Sequence, residues 1–420
     1  MQSILNKEWD YLNSTNEQIM DCQLVRLYPG RGEKFLLEYQ LVLQNGHAHK
    51  NQLILVELVG KDASKRRDKI LCSLKKSRRG QLPKHQPANS VSSIPSLGLV
   101  VRLPGLDERI TGLKLVYNRQ TAMEAINASL DIGQEIAEVE DAILLGHRLG
   151  KRCIIRFKLR DKQPNSSIQS VIAKFYKANS ERGLQVFKTM SRLRETGFDA
   201  TSKIRIPRPM GFSREWNMLL MEDVNAAPVH QLADSDILKG IQQAGGALAK
   251  LHGCSLETSG NHTIDDELAL LQRWIMLVSN IHTHLRSSVS MAFERVQKYL
   301  QQCQDYESKI AHRDFYEKQV LIDGHETVLI DFDTLCNADP ALDVGNFLAH
   351  LRLIRLQGSK DFHGAELAFA AGYGNRGSSN FQHRCNAYLA SSLLRLSCLY
   401  SFWPRWQFVV PELLKAIHAL

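Results

Sequence analysis

The sequence has no closely spaced pair of cysteines and no long apolar run. Its eight cysteines are scattered, and none stands in a CxxC pair, which argues against a zinc site or a disulfide framework and favours reduced thiols. No stretch of about 18 apolar residues occurs, so we expect no membrane span. Residues 1–18 are polar and carry no apolar core of a secretory signal. We therefore expect a cytoplasmic protein.

The bulk composition is that of a soluble globular protein. Hydrophobic residues make up 44% and charged residues 23% of the 420 residues, a length that predicts about two or three structural units. The net charge of +9 suits an anionic ligand such as a nucleotide. The most basic stretch, residues 61–79, lacks interleaved aromatic residues, so it favours a solvated surface over a nucleic-acid partner.

The N-terminal half reads as strands and the C-terminal half as helices. Predicted strands lie at residues 35–41, 53–59, 99–101, 113–116, 153–159, 170–176 and 216–221. Predicted helices lie at residues 121–136, 180–195, 237–252, 267–284, 290–302, 362–373, 380–403 and 410–419. This order predicts an α+β protein.

The strand-rich half contains an internal similarity. Residues 27–41 align without gaps with residues 145–159, and Gly32 then matches Gly150. Each copy is followed by a polar loop and another apolar strand. We interpret this as a duplicated β-rich module. The alternative is that strand–loop–strand sequences look alike by chance.

The strongest chemical signal is the motif HRDFYEKQ at residues 312–319, followed by a short predicted hairpin and IDFD at residues 330–333. Phosphoryl transfer from ATP needs a carboxylate at the acceptor hydroxyl and oxygen ligands for magnesium. We assign the first role to Asp314, in a catalytic motif that begins at His312, and the second to Asp331 and Gln319. The alternative is an exposed polar loop followed by a buried strand.

These motifs resemble the aminoglycoside phosphotransferase and choline kinase family, relatives of protein kinases. The family carries His-Gly-Asp, four residues and Asn, then Ile-Asp-Phe/Trp and Asp-Pro-Ala-x-Asp; here the last element is DPALD at residues 339–343. The resemblance implies a kinase-like bilobal fold, ATP and Mg²⁺ as cofactors, and a small-molecule hydroxyl acceptor, a sugar or aminoglycoside-like alcohol. It also implies that Asp343 supports the catalytic loop. Gln319 departs from the family's Asn, and Arg313 from its Gly.

A strand lysine is the second signal. Lys174 ends the sequence VIAK, and in kinase-like folds such a lysine contacts the ATP phosphates and pairs with a helix carboxylate. We favour Glu181 as that partner over Gln185 and Glu195. The alternative for Lys174 is an ordinary exposed lysine on an alternating strand.

Two weaker signals complete the predicted nucleotide site. Gly150 and Lys151 lie in a glycine-containing basic turn before a strand, although the turn is not GxGxxG and could be an ordinary hairpin. Met221, Glu222 and Val224 follow an apolar strand and resemble the hinge where backbone groups meet adenine. An apolar strand that ends in acidic residues is also common without that role.

We thus expect an ATP-dependent small-molecule kinase in three parts. Residues 1–128 form a degenerate N-lobe-like extension, residues 129–223 the working N-lobe and residues 224–420 the helical catalytic lobe. Glu57 falls near the place of Lys174 in the first copy, which favours a structural or substrate-capping module there. The alternative function is a catalytically silent pseudokinase that binds a nucleotide or a partner. The oligomeric state is not encoded in any of these signals.

Overall fold

The computed structural model describes the chain except for residues 30–34, 47, 77–89, 131–135, 162–168, 257, 259, 304, 359–362 and 375–378. The described chain forms two compact units. The first comprises Met1–Phe187 and Pro209–Asp223, and the second Lys188–Arg208 and Val224–Leu420. The predicted match of Gly32 to Gly150 lies outside the described residues.

Strands dominate the first 223 residues. In chain order the elements are α1 (Gln2–Glu8), α2 (Asp10–Thr15), β1 (Gln18–Pro29), β2 (Phe35–Asn45), β3 (Ala48–Leu58), α3 (Ala63–Lys76), β4 (Val91–Ile94), β5 (Leu99–Arg102), α4 (Arg119–Asn127), β6 (Ile136–Arg148), β7 (Arg152–Asp161), β8 (Ser170–Tyr176), α5 (Arg182–Glu195), β9 (Ile204–Arg205), β10 (Pro209–Ser213) and β11 (Met218–Glu222).

Helices dominate the remainder. In chain order the elements are β12 (Ala227–Pro228), α6 (Asp234–His252), α7 (Ile264–Ile281), α8 (Arg286–Gln301), β13 (Lys309–Ala311), β14 (Val320–Asp323), β15 (Glu326–Leu329), β16 (Cys336–Ala338), α9 (Ala341–Leu356), α10 (Ala365–Tyr373), α11 (Ser379–Tyr400) and α12 (Val410–His418). The predicted helices in this half are confirmed, with ends shifted by a few residues. No helix in the described part of the chain is both long and apolar enough to cross a membrane.

The first sheet has the strand order β1-β2-β3-β5-β4 and is antiparallel throughout. Both of its faces are covered. Successive residues of a strand point to opposite sides of the sheet, and here neighbouring residues pack into different core clusters. Val101 packs with Trp9 and Ile54 in one core cluster, and its neighbour Val100 packs with Ile70 of α3 in another.

The second sheet repeats that topology with the order β6-β7-β8-β11-β10. The repeat extends to register. Glu57 of β3 lies opposite Leu36, and Lys174 of β8 lies opposite Ile154. Since the alignment of the two copies matches Leu36 to Ile154, Glu57 occupies the position of Lys174. The two sheets therefore agree with the predicted duplication.

One predicted strand is wrong. Residues 113–116 belong to a short 3₁₀ helix, Thr111–Tyr117. Ile110 and Leu113 are both buried in the core beside the second sheet, a three-residue spacing that a 3₁₀ turn places on one side. Gly112 lies so close to the Phe175 ring that a Cβ atom would stand 1.8 Å from a ring carbon. Close packing of this connection, rather than strand pairing, sets its conformation.

Candidate active site

The HRDFYEKQ motif begins directly after β13 and leads through one 3₁₀ turn into the β14–β15 hairpin. The hairpin pairs Val320 with Leu329. One further hydrogen bond, from the Ile330 amide to the Gln319 carbonyl at 3.0 Å, extends the ladder toward the motif. Gln319 and Asp331 therefore lie at the same end of the hairpin, as the sequence predicts.

A buried carboxylate holds the start of the catalytic loop. Asp343, in the first turn of α9, is fully buried. Its Oδ2 accepts the His312 amide at 2.6 Å, and its Oδ1 accepts the Arg313 amide at 2.7 Å. Oδ2 also accepts His252 Nε2–H at 3.1 Å, and Tyr373 lies 2.8 Å from His252 Nδ1. Three donors thus satisfy the charge of Asp343, which supports the loop as the family resemblance implies.

His312 ties the loop to the strand that precedes Asp331. Its Nε2–H donates to the Ile330 carbonyl at 2.9 Å, and its own carbonyl accepts the Thr334 hydroxyl at 2.9 Å. The His312 ring is buried and lies 5.4 Å from the ring centroid of Phe332 and 5.8 Å from that of Phe315. These contacts make His312 a link between the two motif segments.

The backbone is left-handed at two residues of the motifs. Arg313 has φ +69° and Asp331 has φ +66°. The other described non-glycine residues with positive φ are all asparagines, which tolerate this region better than most residues. Arg313 stands where the family that this chain resembles has glycine, and the positive φ explains why glycine suits the position.

The carboxylates of Asp314 and Asp331 both raise the pKa of one tyrosine, Tyr316. Burial raises the pKa of Tyr316 strongly, and the negative charges of Asp314, Glu317 and Asp331 raise it further. Both aspartates are half-buried. The negative charges of both predicted carboxylates therefore affect the Tyr316 hydroxyl, in a loop whose start is anchored by hydrogen bonds.

Glu317 and His350 form a buried pair that is not ionic near neutral pH. Burial raises the pKa of Glu317 to about 7, and its Oε2 lies 3.8 Å from His350 Nδ1. Burial, with the charges of Arg395 and Lys318, lowers the pKa of His350 well below its usual range. The Tyr316 ring stacks on His350 at a centroid distance of 4.4 Å. No motif of the sequence includes His350, so the sequence gives no prediction for this residue.

Lys174 lies at the centre of the second sheet, paired with β7 on one side and β11 on the other. Its side chain is only 4% exposed, with Nζ 5.5 Å from the centroid of the Tyr176 ring. The alternative of an ordinary exposed lysine is therefore wrong. Glu181, the predicted partner of Lys174, is exposed just before α5. Their pairing stays a prediction.

Gly150 and Lys151 form the tip of the β6–β7 hairpin. Gly150 has φ +67°, which requires glycine or costs strain. Its amide donates to Asp107 Oδ2 at 2.5 Å. Lys151 is exposed, and its carbonyl accepts the Lys177 amide at 3.0 Å. No sequence pattern predicts a role for Asp107.

The predicted hinge residues lie where the chain passes from one unit to the other. Met221 and Glu222 end β11 in the first unit, and Val224 begins the second stretch of the second unit. Asp223 between them accepts the Ser170 hydroxyl at 2.6 Å. The end of β11 is thereby joined to Ser170 at the start of β8, directly before the sequence VIAK.

Residues 157–377, just over half of the chain, match the phosphotransferase enzyme family designated APH. The chain belongs to this family. It is a small-molecule kinase. No curated protein matches the chain.

Solved structures of low sequence identity are also similar. Spectinomycin phosphotransferase APH(9)-Ia, in complex with ADP and spectinomycin, is 13% identical, covers 72% of this chain and 94% of its own, and gives a TM-score of 0.49. Choline kinase LicA from Streptococcus pneumoniae is 14% identical, with 72% and 99% covered and a TM-score of 0.48. A choline/ethanolamine kinase family protein from Mesorhizobium loti is 13% identical, with 66% and 87% covered and a TM-score of 0.46. The fold is the predicted α+β, kinase-like fold with an additional N-terminal β-rich module.

Proposed function

We propose that this enzyme transfers the γ-phosphate of ATP to a hydroxyl of a small molecule, a sugar or an aminoglycoside-like alcohol. Family membership supports the reaction class. The observation that carries the proposal is the buried Asp343, which binds two successive amides directly before Asp314. Asp343 thus holds the catalytic loop in place through its backbone, and its own side chain does not contact the reactants.

Asp314 is the proposed catalytic carboxylate. It accepts the proton of the acceptor hydroxyl as the hydroxyl oxygen attacks the γ-phosphorus in line and ADP leaves. This role requires an ionised carboxylate near the second acidic group of the site. The β14–β15 hairpin brings Asp331 beside the end of the motif that contains Asp314, and both aspartates raise the pKa of Tyr316. His312 acts by positioning, because its ring is buried and bound to the Ile330 carbonyl.

Asp331 and Gln319 are the proposed magnesium ligands. The donor set fits the ion, because Mg²⁺ prefers carboxylate and amide oxygens and the hairpin ladder brings the two residues to one end. Gln319 is one methylene longer than the family's Asn and is 6% exposed. When bound, magnesium neutralises charge on the β- and γ-phosphates.

The nucleotide is proposed to contact the second sheet of the first unit and the residues directly after β11. Lys174 is the proposed ligand of the α- and β-phosphates, since it is a buried cation on a central strand. The other proposed nucleotide residues are Glu181, Gly150, Lys151, Met221, Glu222 and Val224. Residues 129–223 thus form the proposed working N-lobe, and residues 224–420 the proposed catalytic lobe.

Residues 1–128 are proposed to be a degenerate copy without a phosphate site of its own. Glu57, in the place of Lys174, pairs with Arg66 of α3 at 2.9 Å and also with Arg102. A carboxylate at that strand position repels phosphate instead of binding it. Its partners are arginines where a kinase-like copy has a helix carboxylate, so the charges of the ion pair are reversed.

The test is magnesium-dependent ATP consumption with a panel of sugars, aminoglycosides and choline. Wild type is compared with Asp314→Asn and Asp331→Asn. The matched control is Asp323→Asn, which changes an exposed aspartate at the far end of the same hairpin. We expect transfer to fall at least about a hundredfold in both site variants and to stay unchanged in the control.

Two other outcomes contradict the proposal. ATP binding that needs Asp331, with no transfer to any acceptor and no basal ATP hydrolysis, supports the silent pseudokinase instead. Absence of nucleotide binding in wild type removes the reaction itself. If the wild type is weakly active and Gln319→Asn raises turnover strongly, the weak activity is due to glutamine at the proposed metal-ligand position.

A further inference from the structure

A short segment between the two sheets contacts the tip of the β6–β7 hairpin. We call residues 105–109 the clasp. The clasp follows β5 of the first sheet and precedes the 3₁₀ helix Thr111–Tyr117. The clasp belongs to the N-terminal module and contacts the proposed phosphate-facing turn.

The clasp binds the hairpin tip through one carboxylate. Asp107 Oδ2 accepts the Gly150 amide at 2.5 Å and the Nε2–H of His147 at 3.1 Å. Its Oδ1 accepts the Arg109 amide at 2.9 Å. The Gly105 amide donates to His147 Nδ1 at 3.4 Å, which fixes the tautomer with hydrogen on Nε2. Asp107 is therefore joined to the end of β6 and to the turn that follows it.

The Asp107 carboxylate that makes these hydrogen bonds is buried and charged. Asp107 is only 3% exposed. Although burial by itself raises the pKa of Asp107, the hydrogen bonds from His147 and from the amides of Gly150 and Arg109 outweigh it and lower the pKa. The carboxylate thus remains charged. A buried charge that has three donors is costly to disturb, because any lost donor leaves the charge partly unsatisfied.

The clasp also reaches the turn that follows β8. The Arg109 side chain lies over Gly150, and a Cβ at that glycine would stand 2.9 Å from Arg109 Nη1. The Arg109 carbonyl accepts the Ala178 amide at 2.9 Å, and the Lys151 carbonyl accepts the Lys177 amide at 3.0 Å. The clasp, the hairpin tip and the end of the strand that carries Lys174 are consequently joined by backbone hydrogen bonds.

The Gly150 amide already has an anionic partner, so the proposed contribution of Gly150 to nucleotide binding is the shape of the turn and not a hydrogen bond from that amide. Arg148 ends β6 and Arg152 begins β7, and Lys151 lies in the turn between them. We infer that the clasp positions this turn for nucleotide phosphates, with Asp107 as the positioning residue and cationic side chains making the contact. In this way the chain orders the turn without a glycine-rich loop. The inference rests on the proposed function.

The test uses the full-length protein with Asp107→Asn, which keeps the volume and removes the charge. The control is Asp62→Asn, an exposed aspartate of the same module. We expect KM for ATP to rise about tenfold, the value of one weakened charge-assisted hydrogen bond. We expect kcat to change less than about twofold, since Asp107 contacts neither the acceptor nor Asp314. Hydrogen exchange of the Gly150 amide should accelerate, which reports the turn directly.

The second variant, Gly150→Ala, keeps Asp107 and disturbs the clasp from the other side, through the contact with Arg109 and the positive φ. It should raise KM for ATP in the same way. It also keeps the inference testable when Asp107→Asn does not fold.

Three results overturn the inference. An unchanged KM in both variants, with an active wild type, refutes it and leaves the proposed function standing. A lower KM in Asp107→Asn means that the carboxylate competes with phosphate. A wild type that neither binds nor uses ATP removes the proposed function together with this inference.

Discussion

The anchor of the catalytic loop gives the sharpest test of the structure, through the substitution Asp343→Asn. Asparagine keeps the shape of aspartate but replaces one carboxylate oxygen with an amide that donates hydrogen bonds. In this site both oxygens accept backbone amides, those of His312 and Arg313. Whichever way the asparagine turns, one buried N–H faces another N–H.

The expected loss in the free energy of unfolding follows from these hydrogen bonds. A hydrogen bond to a charged group contributes about 1.5 to 3 kcal/mol, and an unsatisfied buried donor costs about 1 to 3 kcal/mol. The free energy of unfolding should therefore fall by about 3 to 5 kcal/mol. His252, whose Nε2–H also donates to Asp343, loses a charged acceptor in the same substitution.

Denaturant unfolding at constant pH measures this loss, with Asp323→Asn as the exposed control expected within about 0.5 kcal/mol of wild type. Phosphate transfer is measured under conditions where Asp343→Asn is still folded. We expect kcat to fall and KM to change less, because Asp314 is displaced. A stability loss below about 1 kcal/mol would refute the reasoning. It would mean that the two loop amides find other acceptors.

Three further predictions concern stability. Because the pKa of Glu317 is raised from 4.5 to about 7, the folded state retains a proton that the unfolded state releases, and stability should fall by about 3 kcal/mol as pH rises from about 4.5 to 7. In Glu317→Gln this slope should disappear in pH-dependent denaturation, and a slope equal to wild type would contradict the assignment. At Arg313, the glycine variant should be about 1 kcal/mol more stable than the alanine variant because φ is positive; alanine proving the more stable would argue against the left-handed backbone. In α6, thermal unfolding should show Gly245→Ala destabilised by about 2 kcal/mol, since its Cβ would stand 2.3 Å from the carbonyl oxygen of Phe369. The adjacent Gly246→Ala, in ordinary contact at 3.6 Å, should gain about 0.5 to 1 kcal/mol, and equal effects at the two glycines would contradict the packing.

Local patterns were sufficient for the motifs and most of the elements. Residues 312–331 place their loop, hairpin and second carboxylate within twenty positions, so the approach of Gln319 to Asp331 follows from strand pairing alone. The C-terminal helices other than α9 are marked by apolar spacing and were predicted for that reason. The sequence did not predict α9, which is buried over most of its length. The prediction of a strand at residues 113–116 was wrong. Gly112 packs on Phe175 there, and no local sequence pattern indicates that contact.

The sequence by itself determined the chemical groups of the site, their order and the reaction class that they resemble. The tertiary structure decided which distant groups satisfy them. Asp343 meets His252 across 91 positions, and Asp107 meets Gly150 across 43. Both carboxylates remain buried because the fold brings donors to them, and the cost of an unsatisfied buried charge then keeps those donors in place. The burial that raises the pKa of Glu317 likewise arises only when the loop packs against the helices.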